Sequence, residues 1–384
     1  MTRRLGLLLG VVLLATTPSL AATQAFATAD SIVQSGIRRG IYPGAVLLIG
    51  NHERVLHAQA FGRFQWNAGP APDPDATLWD LASLTKVVGT TPAIMRLVER
   101  GKVDLDAPVV RYLPRFQGKG KDAVTVRMLL NHTSGLRSYL PFFQLARTRD
   151  SAIALLYHEP LRRPPGTLAE YSDLNFLLLG LLVEAVTGEP LETVVAREVL
   201  LPAGLIHSTY RPADSLRTRT APTGRYRGHP VCCEVNDQNA VRMGGVAGHA
   251  GLFSTGADLA RYARLWLNHG ALDGHRVFTA AVVDSFLSPA QGKGDRLLGW
   301  ERPDPKNRDD SAYGHLLSET AYGHTGWTGT LLWIDPKQDL FLVLLTNRSY
   351  DPRVGRSIRA LRSVRNDLAD QVVRTMARAA KTDR

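Results

Sequence analysis

The chain has 384 residues, 44% apolar and 21% charged, an ordinary globular balance that excludes a disordered or collagen-like chain and allows a large core. Its formal charge of +11 is spread along the sequence, which argues against nucleic acid as a partner and fits peripheral contact with an anionic envelope surface better. The only cysteines, Cys232 and Cys233, are adjacent and would close a strained ring, so they read as free thiols or an incidental bond rather than a staple or metal site.

Met1 to Ala27 reads as a secretory signal: Arg3 and Arg4, an apolar run from Leu5 to Ala15, and Ala25-Phe26-Ala27 as a cleavage site. The run is short for a membrane span, which needs about 20 residues. The expectation is an exported chain, periplasmic or secreted, that starts near residue 28. Ala29 to Arg39 then suggests a helix, and Gly44 to Gly62 reads as two strands around a Gly-Asn turn. A polar, Pro-rich segment (Gly69 to Asp75) leads to an apolar helical pattern, expected as one helix from Ser83 to Val98. Further helices are expected over Thr125 to His132, Asp150 to His158, Asp173 to Gly188 and Leu191 to Leu201. Two apolar runs between His324 and Asn347 flank Asp335-Pro336-Lys337-Gln338 as a hairpin, and Pro352 to Lys381 reads as a long amphipathic helix.

Strands near both ends around a helical middle imply one sheet assembled from distant parts of the chain, an α+β arrangement. A sheet lobe is expected over about 28–80 and 240–384, a helical lobe over about 81–239, and a site in the cleft between them.

Three stretches carry candidate chemistry. In Ser83-Leu84-Thr85-Lys86 a hydroxyl and an amine lie one turn apart, and an amine with a lowered pKa can take the hydroxyl proton. Lys86 is one of eight lysines among 46 basic residues, and it sits in an apolar helical pattern where burying an unpaired ammonium is costly. Tyr171-Ser172-Asp173 precedes the apolar helix; Tyr171 is a phenol able to relay a proton, and Asp173 is either a helix cap or a polar group facing the same site. Gly323 to Thr330, "GHTGWTGT", opens an expected inner strand whose N–H groups can face a developing oxyanion. No serine has the Gly-x-Ser-x-Gly frame, and no His-Glu-x-x-His occurs.

Ser83-x-x-Lys86, Tyr171-x-Asp173 and His324-Thr325-Gly326, in that order, resemble the three motifs of the penicillin-recognising serine hydrolases: class C β-lactamases, D-Ala-D-Ala carboxypeptidases and related esterases. "LLNHTSGL" (Leu129 to Leu136), "LLLGLLVEAVTG" and "GGVAGHAGLFSTGADLARYARL" (Gly244 to Leu265) are similar to the same family. The resemblance implies a β-lactamase/transpeptidase-like fold, an antiparallel sheet flanked by N- and C-terminal helices beside a mainly helical lobe. It implies Ser83 as acylated nucleophile, Lys86 as its base and Tyr171 as proton shuttle. The N–H groups of Ser83 and Trp327 would form the oxyanion hole, with His324, Thr325 and Gly326 along the substrate and no metal or organic cofactor. The substrate implied is a peptidoglycan-type peptide or a small ester or amide; a weak β-lactamase or a penicillin sensor without turnover are the alternatives.

Two positions depart from the family pattern. Asp173 stands where asparagine is usual, and an ionised carboxylate is expected to hold Lys86 protonated and move the base role toward Tyr171. His324 stands where β-lactamases carry lysine, and a mostly neutral imidazole grips a substrate carboxylate less firmly.

Overall fold

Gly44–Gly50 (β1) is buried along its whole length, which fits a central strand with both faces covered. The computed structural model describes residues 25–289, 292–304, 306, 311–351, 353, 355 and 358–382, so most of the expected signal segment lies outside the described residues. β1 pairs on one side with Val55–Gly62 (β2), an edge strand that buries only His57 and Phe61. On the other side it meets the far end of the chain. With Tyr322–Thr325 (β3), Leu331–Asp335 (β4) and Leu340–Thr346 (β5), the sheet runs β3-β4-β5-β1-β2, antiparallel throughout, and Ala45 lies opposite Thr346. The hairpin between β4 and β5 turns through Pro336–Gln338, where the Asp335 side chain accepts from the Gln338 N–H.

Alternation in the strands gives each face its own core. Ala45, Leu47, Ile49, Trp333, Leu342 and Leu344 pack with helices Ala27–Arg38 (α1) and Arg359–Thr382 (α5) through Val33, Leu361, Val364, Leu368 and Val372. Val46, Leu48, Leu332, Val343 and Leu345 join a larger core on the opposite face, together with Leu259, Ala260 and Ala263 of helix Gly256–Leu267 (α4) and the middle of the chain. The α+β class, the antiparallel sheet and its flanking terminal helices are as the sequence implies.

Two expected helices have a different form. Ser83 to Val98 is a 3-10 turn (Ala82–Leu84), a π-helical segment (Lys86–Thr90) and an α-helix, Thr91–Glu99 (α2). Leu191 to Leu201 likewise ends in a π-helical segment, Ala196–Leu200. A short hairpin, Gly224–Tyr226 with His229–Val231, interrupts the middle region, and the Cys232 and Cys233 sulfurs follow it 3.0 Å apart, unbonded. Among the described residues no single helix is long and apolar enough to cross a membrane.

Candidate active site

The site is built on a strained turn. Ala82 has φ 47°, a left-handed conformation that costs a non-glycine residue energy and persists only where its surroundings hold it. The holder is Asp80: one carboxylate oxygen accepts from the Ala82 N–H at 2.8 Å and the other from the Asn236 N–H at 2.7 Å. Burial pushes the Asp80 carboxyl up to about 6, against the opposing pull of those hydrogen bonds. The turn that follows is 3-10, in which residues three apart eclipse, so Lys86 Nζ reaches Ser83 Oγ at 3.0 Å. A uniform α-helix gives way here because the next turn widens, with the Val87 carbonyl accepting from the Tyr262 hydroxyl and Thr90 Oγ1 donating to the Gly248 carbonyl.

Lys86 is 0% exposed and its Nζ faces four acceptors: Ser83 Oγ, Tyr171 Oη at 2.5 Å, Asp173 Oδ1 at 2.7 Å and the His249 carbonyl at 3.3 Å. Burial pulls the ammonium down, but Asp173 and then Tyr171 outweigh it, and the pKa of Lys86 ends above its ordinary value. Lys86 is therefore a cation at neutral pH. Tyr171 also keeps its proton: burial and the Asp173 charge push the phenol up to about 12, although Lys86 and Ser83 pull the other way. Its O–H donates to Ser83 Oγ at 2.8 Å. The expectation that an ionised Asp173 leaves Tyr171 as the ready base therefore needs correction. The carboxylate that holds the lysine proton raises the phenol as well.

Asp173 is not the cap of its helix. In Asp173–Thr187 (α3) the N-cap position belongs to Ser172, and no side chain caps there. The Ser172 hydroxyl instead donates to the Arg137 carbonyl at 2.6 Å, and the Asp173 carboxylate turns to Lys86. α3 approaches the Gly244 to Leu265 stretch closely. A Cβ on Gly180 would stand 3.0 Å from the Gly248 backbone, so glycine at both positions lets the Gly248 and His249 carbonyls reach Thr90 and Lys86.

His132, from "LLNHTSGL", backs Tyr171 with ring centroids 4.9 Å apart. Its Nδ1 accepts from the Ser172 N–H at 3.1 Å and lies 3.3 Å from the Asn175 amide nitrogen. Burial first, and the charges of Arg296 and Lys86 next, push His132 well below the usual imidazole range, so the ring is a neutral wall.

The β3 end closes the other side. Thr328 Oγ1 donates to the Asp80 carbonyl at 2.7 Å and Thr330 Oγ1 to the Leu81 carbonyl at 3.0 Å, which ties Gly326 to Thr330 directly onto the Ser83 turn. A Cβ on Gly326 would stand 2.6 Å from the Leu81 carbonyl oxygen and closer still to Thr330 Oγ1, so this approach requires glycine. Among the described residues the Trp327 N–H has no acceptor, and the Trp327 side chain is 50% exposed. His324 sits beneath the surface, 2% exposed; its Nδ1 donates to the Thr325 carbonyl at 2.8 Å while Nε2 is buried without a partner among the described residues. Burial, Lys86 and Arg296 push its pKa well below the usual range, so it is neutral and is not placed at the surface as a grip for a carboxylate.

Sequence reasoning missed Arg296. Its guanidinium lies 5.5 Å from the centre of the Tyr171 ring, and its charge acts on both His132 and His324. It comes from an irregular loop between Lys293 and Glu301, where no spacing or periodicity marks it. Among the described residues no cluster of His, Cys, Asp and Glu could hold a metal ion.

The family model for beta-lactamase matches residues 29–365. The chain belongs to the beta-lactamase family. Within it, the chain is 35% identical over 358 residues to the N-acetylmuramyl-L-alanine amidase of Bacillus subtilis (strain 168), covering 84% of this chain and 81% of that protein. It is 31% identical over 346 residues to an Escherichia coli (strain K12) protein whose name provisionally assigns it as a D-alanyl-D-alanine carboxypeptidase, covering 81% and 80%. The fold is also similar to that of a class C beta-lactamase at a TM-score of 0.73 and 20% identity, covering 92% of this chain and 98% of that one. This member of the beta-lactamase family is a serine hydrolase of the β-lactamase/DD-peptidase type.

Proposed function

We propose that the protein is a cell-envelope peptidase or amidase that cleaves an amide bond in peptidoglycan-type peptides, in the manner of a D-Ala-D-Ala carboxypeptidase, through an acyl-enzyme on Ser83. The observation that carries the reading is the closed set of contacts among Ser83, Lys86, Tyr171 and Asp173. The names of the two relatives, an amidase and a carboxypeptidase, favour acyclic amides over β-lactams, as does a neutral, buried His324.

With Lys86 and Tyr171 both protonated, the group placed to accept from Lys86 Nζ is the Asp173 carboxylate, at 2.7 Å. Lys86 first gives a proton to Asp173 Oδ1, and the amine left behind takes the Ser83 proton as Oγ bonds to the substrate carbonyl carbon, so the lysine is charged again and the carboxyl stores the proton. The carbonyl oxygen becomes an oxyanion facing the N–H groups of Ser83 and Trp327. When the C–N bond breaks, Tyr171 gives its proton to the leaving amine and is refilled from Lys86, which recovers the stored proton from Asp173. Water then attacks the ester through the same relay run again, which regenerates Ser83. Arg296 brings a second positive charge beside Tyr171, where the carboxylates of Asp295 at 3.5 Å and Glu301 at 3.6 Å partly balance it.

The reading extends to export, with the segment before residue 25 as leader. Phe26 is 5% exposed and stacks on His57 with centroids 5.0 Å apart, so a cut after Ala27 would discard a packed ring and a cut before Phe26 is favoured. The test incubates the exported chain with a D-Ala-D-Ala peptide, a muropeptide, an aryl ester and a fluorescent penicillin, following turnover and mass. Amide turnover that Ser83→Ala abolishes is expected. Adduct or hydrolysis at the parent rate in Ser83→Ala overturns the mechanism, and a stable adduct without turnover turns the reading to a sensor.

A further inference from the structure

Behind the Gly326 to Thr330 turn lie two buried arginines. Arg348 Nη1 donates to the Trp327 carbonyl at 3.1 Å, and its guanidinium stacks 4.8 Å from the Trp327 ring centre. Arg365, on α5, is 2% exposed, makes no ion pair among the described residues, and its Nε has no partner there. Burial first and Arg348 next push the Arg365 guanidinium down to about 9, with the more distant Glu301 carboxylate pulling the other way, which leaves it charged at neutral pH. A buried cation without a carboxylate in direct contact is expensive, and packing alone would favour an apolar side chain at this helix position.

The contacts of Arg365 point to its use. One nitrogen, Nη2, donates to the Gly326 carbonyl at 2.9 Å and to the Thr330 carbonyl at 2.8 Å. The Gly326 carbonyl and the Trp327 N–H are the two ends of one resonance-coupled peptide unit. A cationic donor on the oxygen draws electron density from the nitrogen and makes the N–H a stronger donor. We propose that Arg365 is a positioning residue for oxyanion stabilisation, acting through the Gly326–Trp327 peptide to strengthen the Trp327 N–H. The inference rests on the reading above that this N–H faces the oxyanion. A purely mechanical role, cross-tying the ends of the turn, would affect folding but not the donor strength.

The experiment compares wild type, Arg365→Met and Arg365→Lys by kcat and KM for an aryl ester, Ki for an aryl boronic acid that forms a tetrahedral anion on Ser83, and melting temperature. In Arg365→Met, kcat is expected to fall and Ki to rise in parallel by about tenfold, less than the hundredfold or more lost with a whole donor. KM should stay within about twofold and Arg365→Lys should recover most of the loss, because it restores the charge. If the Met variant does not fold, Arg365→Gln, which keeps a donor without the charge, takes its place with the same expectation. Unchanged kcat and Ki in a folded variant, or a Lys variant no better than Met, overturns the inference. Equal boronic acid affinity in wild type and Ser83→Ala overturns the acyl-enzyme reading itself, so the two failures are told apart.

Discussion

Replacing Asp173 by asparagine removes the charge that keeps Lys86 protonated while leaving a carbonyl oxygen in reach. At the 2.7 Å separation of Lys86 Nζ and Asp173 Oδ1, two unit charges attract by about 6 kcal/mol at an effective dielectric constant of about 20. Asp173 is 17% exposed, so part of that is screened, and the expected loss lies at the lower end of the range for a broken buried pair, about 3 kcal/mol at neutral pH. The sign of the pH dependence separates this from a packing defect. In the wild type the pKa of Lys86 is raised, so its contribution to stability is fully present below the unfolded value and is lost only above it, which leaves neutral to mildly alkaline pH flat on its account. In the variant, burial is no longer opposed by a carboxylate and the folded pKa falls below the unfolded one. The unfolded chain then binds more protons, so the variant gains stability as pH rises and its deficit shrinks. Urea midpoints between about pH 7 and about pH 9.5 measure this, with Lys86→Met and the double variant completing the cycle. A deficit under about 1 kcal/mol at pH 7, or one that is constant with pH, refutes the reasoning.

The same substitution should move the acid limb of kcat/KM to higher pH, because an amine rather than a carboxylate must then be deprotonated; an unmoved limb counts against the relay. Tyr171→Phe should lower kcat on an amide by about a hundredfold or more, and less on an activated aryl ester whose leaving group needs no proton, as parallel assays would show. Gly326→Ala places a methyl against the Leu81 carbonyl and should abolish acylation while leaving much of the helical region folded, measurable by adduct mass and circular dichroism. Because the Asp80 pKa is raised to about 6, this group contributes stability that is lost as pH climbs from about 4 to about 6; Asp80→Ala should remove that slope and slow acylation by freeing the Ala82 turn. The proposed leader predicts, by mass spectrometry of the processed protein, an N-terminus at or upstream of Phe26, and one at Thr28 would count against it.

Much of the fold was legible because its signals are local. The apolar runs of β1, β4 and β5, the Asp335-Pro336 turn and the apolar face of α5 each announce themselves within a short window. The spacing of Ser83 and Lys86 was legible too, but the π-helical turn was not, since the apolar pattern from Val87 to Val98 fits either winding. Asp173 satisfies the statistics of a helix cap wherever its side chain points, so only the position of Lys86 decides its role. Arg296 and Arg365 become visible only when distant segments meet: one hangs over Tyr171 from an irregular loop, the other reads as an ordinary arginine in an amphipathic helix.

The pairing of Ala45 with Thr346 bears on how the molecule is made. The central strand gains its second neighbour only when nearly the whole polypeptide has been synthesised, and contacts this remote in sequence are slow to form because loop closure precedes any gain. An emerging N-terminal segment therefore has no sheet to complete while it waits. The Ser83 turn likewise waits for remote chain, since Asn236, Thr328 and Thr330 reach it through Asp80 and Leu81 only after most of the polypeptide is made.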